Sequence, residues 1–155
     1  MRINTIKGKL KIIEENINLV KENFPDDLEN FKKLGLIKDG IYKRIENSIQ
    51  EIITICSIIN SDLNIGIPSN RDEIISALEE KEIISKDLSE KIRQLKGFRN
   101  FLVHRYGRIQ DDIAYEDIKK GFDDFTHFKD EIMKFMSTLE KKEDNLKENK
   151  DNSLH

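Results

Sequence analysis

The sequence predicts an all-α protein, an antiparallel up-and-down bundle of four or five helices. Three observations carry this. Apolar residues recur in steps of three and four along most of the chain. The punctuation is sparse, with Pro25 and Pro68 the only prolines and seven glycines. No stretch alternates apolar and polar residues for long enough to make a strand, and no internal repeat is present.

The elements follow in order. Ile3, Ile6, Leu10, Ile13, Ile17 and Val20 line one face of a first helix, which "NFPDD" ends. A short helical piece runs from Asp27 to Leu34 and stops near Gly35. The second long helix spans about Lys38 to Asn60, with Ile41, Ile45, Ile49, Ile52, Cys56 and Ile59 as its stripe. "DLNIGIPSN" is a loop, because Pro68 cannot sit deep inside a helix. Ser69 or Asn70 caps a short helix from Arg71 to Glu80. Ser85 caps the next, which carries Leu88, Ile92, Leu95, Phe98 and Leu102 and ends near Gly107. The last helix runs from about Tyr115 to Leu139. Residues 140–155 are charged and almost free of apolar side chains, and they are expected to be a disordered tail after a single domain of residues 1–139.

Composition limits the function classes. The chain has 155 residues, the size of one domain, with 37% apolar and 37% charged residues. Its net charge is −3 and its pI about 5.7, so affinity for nucleic acid has to come from a local patch. Cys56 is alone in an Ile-rich run and reads as a small buried residue. No apolar run reaches the roughly 20 residues of a membrane span, and the N-terminus lacks a secretory core, so the expected location is cytoplasmic. No metal motif, Gly-rich phosphate loop or CxxC occurs, and no metal or cofactor is expected. His127 reads as a half-buried packing residue. The adjacent acids Asp111–Asp112 and Asp123–Asp124 point about 100° apart on a helix and read as cap and surface charges.

One window departs from the rest. Between Lys91 and Arg108 the charged residues are Lys91, Arg93, Lys96, Arg99, Arg105 and Arg108, with no acid among them. A helix C-terminus collects cations against its dipole, which accounts for Arg105 and Arg108. Lys91, Arg93 and Lys96 lie several turns upstream, so the window also reads as an RNA-binding patch. Asn100 and His104 share a helix face, whereas Arg99 and His104 are about 140° apart on one helix. A symmetric dimer that joins two such helix ends would bring both residue types around one cleft. A His and Arg set suits RNA, which carries its own nucleophile. His can take the 2′-hydroxyl proton or protonate the leaving 5′-oxygen, and Arg can bind the phosphate.

"RNFLVHRY", Arg99 to Tyr106, matches the R-x4-H-x-Y pattern and resembles the HepT-like toxins of the HEPN superfamily. "IYKRIENSIQEIITICSIIN", "LSEKIRQLKGFRNFLVHRYG" and "DFTHFKDEI" are similar to the family's second, motif and closing helices, so the resemblance covers about Ile3 to Met136. It implies a HEPN-like helical bundle that forms a homodimer and acts as a metal-independent endoribonuclease. Arg99 and His104 would be the catalytic pair, with Asn100 as polar helper. It also implies an MNT-type nucleotidyltransferase antitoxin as partner, which would silence the toxin by AMPylation of Tyr106. Two other readings share the same residues: a non-catalytic nucleotide- or RNA-binding module or nucleotidyltransferase partner subunit, and a structural helical dimer.

Overall fold

The computed structural model describes residues 1–66, 71–104 and 110–154, without the side chains of Arg71, Asp72 and His104. Six helices occur among them: α1 (Ile3–Glu22), α2 (Leu28–Lys32), α3 (Leu36–Asp62), α4 (Arg71–Glu80), α5 (Lys86–His104) and α6 (Asp111–Ser153). The four long ones form the bundle. α1 packs on α3 and α6, and α5 packs on the same two helices.

Polar pairs between helices fix their directions. Arg2 pairs with Asp62 at 2.9 Å, Lys9 with Glu51 at 2.9 Å, and Arg44 donates to Asn16 Oδ1 at 2.7 Å. Positions rise along α1 as they fall along α3, so the two are antiparallel. Glu14–Lys129 and Lys7–Glu140 make α6 antiparallel to α1 in the same way. Ser85–Glu131 and Lys91–Asp124 do so for α5 and α6. The bundle is therefore up-and-down, as the sequence predicts.

The observed core is wider than the stripes. Besides the expected side chains of α3, Ile53, Ile55 and Ile58 are buried, because α4 and α5 cover a second face of this helix. Gly35 opens α3 at φ +59°, a left-handed conformation that glycine adopts without Cβ strain. Ser85 does cap α5, its Oγ accepting from Leu88 N–H at 3.1 Å. The Ser69 and Asn70 caps lie outside the described residues.

Helix ends differ from the sequence reading at both ends of α3 and of α6. α3 begins at Leu36 and reaches Asp62, and α6 begins at Asp111, four residues before Tyr115. α6 also continues through the charged segment to Ser153, although residues 140–153 are all exposed. That segment buries nothing. It is rich in Lys and Glu, strong helix formers, and places Glu143 four residues before Lys147. Helical propensity sufficed there without a core.

An aromatic cluster closes the end of the bundle where α5 stops and α6 starts. Phe24 stacks on Tyr115 with centroids 4.9 Å apart and meets Phe122 edge-on at 5.1 Å. Phe31 contacts Phe24, Tyr42 and Tyr115. Tyr115 Oη donates to the Pro25 carbonyl at 3.0 Å, which ties the α1–α2 turn to α6. Phe31 is the fully buried hub of the cluster. Phe31→Ala is expected to cost about 3–5 kcal/mol in urea unfolding, whereas Leu146→Ala on the exposed end of α6 changes stability by less than about 0.5 kcal/mol.

Candidate active site

Arg99 to His104, the described part of the Arg99–Tyr106 pattern, form the last turns of α5. α5 is amphipathic, and Leu88, Ile92, Leu95, Phe98 and Leu102 bury one side of it in the core. That burial sets the rotation of the helix and so the direction of every other residue on it. Arg99 lies beside this apolar side and is half-buried. Its Nε is buried and has no hydrogen-bond partner among the described residues. A buried guanidinium N–H without an acceptor costs roughly 1–3 kcal/mol, an expense rarely left in place without a use. Asn100 is exposed on the next face round. His104 is the last residue of α5. Arg105, Tyr106 and Arg108 lie outside the described residues.

Lys91 and Arg93 are turned to partners on other helices and not to Arg99. Lys91 turns toward α6. It pairs with Asp87 at 3.4 Å and Asp124 at 3.8 Å, and meets His127 Nδ1 at 3.2 Å. Arg93 turns toward α4, donating to Ser76 Oγ at 2.8 Å and to Ser89 Oγ at 2.7 Å. Lys96 is half-buried. The window between Lys91 and Arg108 has no acid in sequence, yet α6 and the preceding turn of α5 supply carboxylates in space. Positions 91 and 93 differ by about 200° around a helix, so a linear run of charge splits onto opposite faces.

His127 is half-buried, as expected, but in polar company. Its Nε2 meets Glu131, which also accepts from the Ser85 N–H and Oγ at 2.7 Å each. Burial raises the Asp124 carboxyl, an effect that Lys91 and His127 only partly offset. Among the described residues, no three His, Cys, Asp or Glu are grouped to hold a metal ion.

Asp111 is not the surface charge that its sequence context predicts. It begins α6, and its carboxylate is gripped by α3. Tyr42 Oη donates to Oδ1 at 2.6 Å, and Lys38 Nζ donates to Oδ2 at 2.7 Å. Burial pushes the Asp111 carboxyl up, but the hydrogen bonds of Lys38 and Tyr42 and the charges of Lys38 and Lys32 outweigh it and hold the group below the ordinary range. Burial and the adjacent carboxylate raise the Tyr42 hydroxyl far above neutral pH. Nothing in the local sequence marks Asp111, since its partners lie about 70 positions away.

A groove between α5 and α6 borders this end, lined by Phe98, Phe101, Ile113, Asp117, Lys120 and Asp124. Ile113 is 44% exposed there. Among the described residues no helix is long and apolar enough to cross a membrane.

The profile of the HepT-like ribonucleases matches residues 13–132, which spans α1 to α6 and the whole Arg99–Tyr106 pattern. The chain belongs to the HepT-like ribonuclease family. It is 25% identical over 127 residues to the mRNA nuclease HepT of Shewanella oneidensis, covering 82% of this chain and 95% of that protein. The fold superposes on the tri-AMPylated Shewanella oneidensis HEPN toxin, solved in complex with its MNT antitoxin. That match has a TM-score of 0.73 and 25% identity, over 83% of this chain and 96% of the toxin chain. The cytosolic protein of unknown function YutE from Bacillus subtilis shares the fold at TM-score 0.76 and 16% identity, over 90% and 93% of the two chains.

The Asp111 clamp has a defined pH dependence. A carboxylate with a depressed folded-state pKa contributes its full stability above its unfolded value, near 4, and loses it as the pH falls through the lower folded value. Melting temperatures of the wild type and Asp111→Asn should therefore differ most near neutral pH. They should converge as the pH is lowered through the depressed folded-state value.

Proposed function

We propose that this HepT-like protein is the toxin of a toxin–antitoxin pair and cuts RNA without a metal ion. The observation that carries the reading is Arg99. It stands at the head of the R-x4-H-x-Y pattern with a buried Nε that has no partner among the described residues, in a chain of the HepT-like ribonuclease family. A phosphate oxygen is an acceptor of the right charge for that group.

In this reading the RNA 2′-oxygen attacks the adjacent phosphorus and the bond to O5′ breaks. The 2′-hydroxyl proton leaves and a proton reaches O5′, with His104 serving one of these transfers. Arg99 binds the phosphate and offsets the charge that builds on its oxygens in the pentacovalent state. The ends are a 2′,3′-cyclic phosphate and a 5′-hydroxyl. Asn100, exposed beside Arg99, orients the phosphate or ribose. Arg105 and Arg108 lie next to His104 in sequence and extend the contact to neighbouring phosphates. Lys91, Arg93 and Lys96 are secondary, since Lys91 and Arg93 have partners within the chain.

Two copies complete the site. Arg99 and His104 diverge by about 140° on one helix, and a two-fold axis near the ends of two α5 helices lets one copy's Arg meet the other's His. Phe101 and Ile113, the partly exposed apolar side chains of the α5–α6 groove, suit such a contact. RNA cleavage in EDTA should be abolished in Arg99→Ala and in His104→Ala. Mixing the two variants should restore it, because a mixed dimer then holds one intact site. Cleavage that persists in His104→Ala would turn the reading toward a binding module.

The partner is an MNT-type nucleotidyltransferase that adds AMP to Tyr106, by analogy with the AMPylated toxin whose fold this chain shares. The phenol oxygen attacks the α-phosphorus of ATP, pyrophosphate leaves, and the phenol proton is lost to solvent. The product carries a negative phosphate two residues from His104, where it competes with RNA for Arg99. Intact-mass measurement after incubation with the antitoxin and ATP should show added AMP in the wild type. Tyr106→Phe should lack that gain, and an equal gain would remove Tyr106 from the account.

A further inference from the structure

The seam between α5 and α6 is open along the motif helix. Mid-helix glycines line it on both sides, Gly97 on α5 and Gly121 on α6. A glycine inside a helix weakens it relative to alanine, and packing requires neither of these. A Cβ on Gly97 would meet nothing within 4 Å, and one on Gly121 would meet Leu95 at an ordinary 3.6 Å. The groove they leave has a volume of about 400 Å³, which suits a small ring system.

The lining is aromatic on one helix and acidic on the other. The Phe98 and Phe101 rings lie nearly parallel, 19° apart with centroids at 6.0 Å, and Phe101 is half-exposed. Unpaired RNA bases stack on such rings. Phe101 is the third residue of the motif pattern, so a base held between Gly97 and Phe101 lies about 5–10 Å along α5 from position 104. Across the groove Asp124 is half-buried. Lys91 is 3.8 Å from it, and no described donor is within hydrogen-bond reach. Burial raises this carboxyl, so N–H donors from a ligand would stabilise its charged form. Asp117 and Asp124 repel a phosphate but accept from the N–H groups of a base edge, and Lys120 between them suits an adjoining phosphate. Guanine presents two donors side by side, N1–H and N2–H, which match the two oxygens of a carboxylate. Uracil flanks its one N–H with carbonyls and does not. In the dimer of the nuclease reading the copies meet at the α5 ends, and the seat at Gly97 and Gly121 lies one to two turns behind that contact.

We propose that the α5–α6 groove is a base-specificity pocket, which seats an unpaired guanine of RNA next to the cut with Asp124 accepting from its N1–H and N2–H. The cut itself rests on the nuclease reading. The preference in binding stands apart from it.

Random-sequence RNA should be cut with guanine enriched beside the break, and Asp124→Asn should reduce the preference for guanine over uracil roughly tenfold. Gly97→Leu should fill the groove. It removes a glycine from a helix where a Cβ meets nothing, so its Tm should equal or exceed the wild-type value while the same preference is lost. Binding is separated from cutting in a His104→Ala background, with the RNA trinucleotides ApGpA and ApUpA as probes. The guanine probe should bind about tenfold more tightly, and Asp124→Asn or Gly97→Leu should bring the two affinities together. Equal affinities before either change, or a preference that survives both, would overturn the proposal. So would light scattering that shows Gly97→Leu turning a dimer into a monomer, because the groove would then be a contact between copies. If the wild type does not cut RNA, the nuclease reading fails alone, and the probe affinities decide the pocket.

Discussion

Helix α3 buries apolar side chains around most of its circumference, and the other elements are arranged by the need to cover it. Ile41, Ile45, Ile49, Ile52 and Ile59 face one way, and Ile53, Ile55 and Ile58 widen the apolar surface to a second face. One neighbouring helix cannot cover so broad a stripe. α1, α4 and α5 each take a share of it, and α6 closes the bundle against α1 and α5. Each fully buried Ile contributes about 1.5–3 kcal/mol relative to exposure, so a misplaced helix would forfeit several such terms at once. The rotation of α5 follows from this demand. With Leu88, Ile92 and Leu95 turned inward, Arg99 is left at the edge of the core and Asn100 outside it.

Polar contacts refine what apolar burial begins. Hydrophobic burial brings helices together without choosing their sliding register. The pairs Arg2–Asp62, Lys9–Glu51 and Arg44–Asn16 repeat along the α1–α3 seam and suit one register only. Partly exposed pairs of this kind add modestly to stability, and their value here lies in excluding shifted alternatives. The Asp111 carboxylate differs in carrying two short bonds, from Lys38 and Tyr42, on a helix distant in sequence. It lies at the place where the chain leaves the segment that the family pattern marks.

Much of the fold was legible in the sequence, since three–four apolar spacing has one physical meaning. The limits of α4, the Ser85 cap and the side of α5 that turns inward were all read from local pattern. Two features were not. One is the helix in residues 140–153, where Leu146 is the only apolar residue and a helix that rests on propensity alone has no apolar stripe. The division of Lys91 and Arg93 onto opposite faces escaped because a charge run was read along the chain, while charge acts through space.

The sequence by itself determined the helices, the up-and-down order that short connections impose, and the Arg99–Asn100–His104–Tyr106 pattern at the end of one of them. These rest on local spacing, and a helix converts spacing into direction by a fixed angle per residue. Tertiary structure alone decided which charges remain available and which are consumed. Among the described residues Arg99 keeps a buried Nε without an acceptor, whereas Lys91 is taken up by Asp87 and Asp124, and Asp111 by Lys38 and Tyr42. The reason is physical. A charged group's partners are chosen by distance in the folded bundle, and residues 111 and 42 become neighbours only after α3 and α6 have packed.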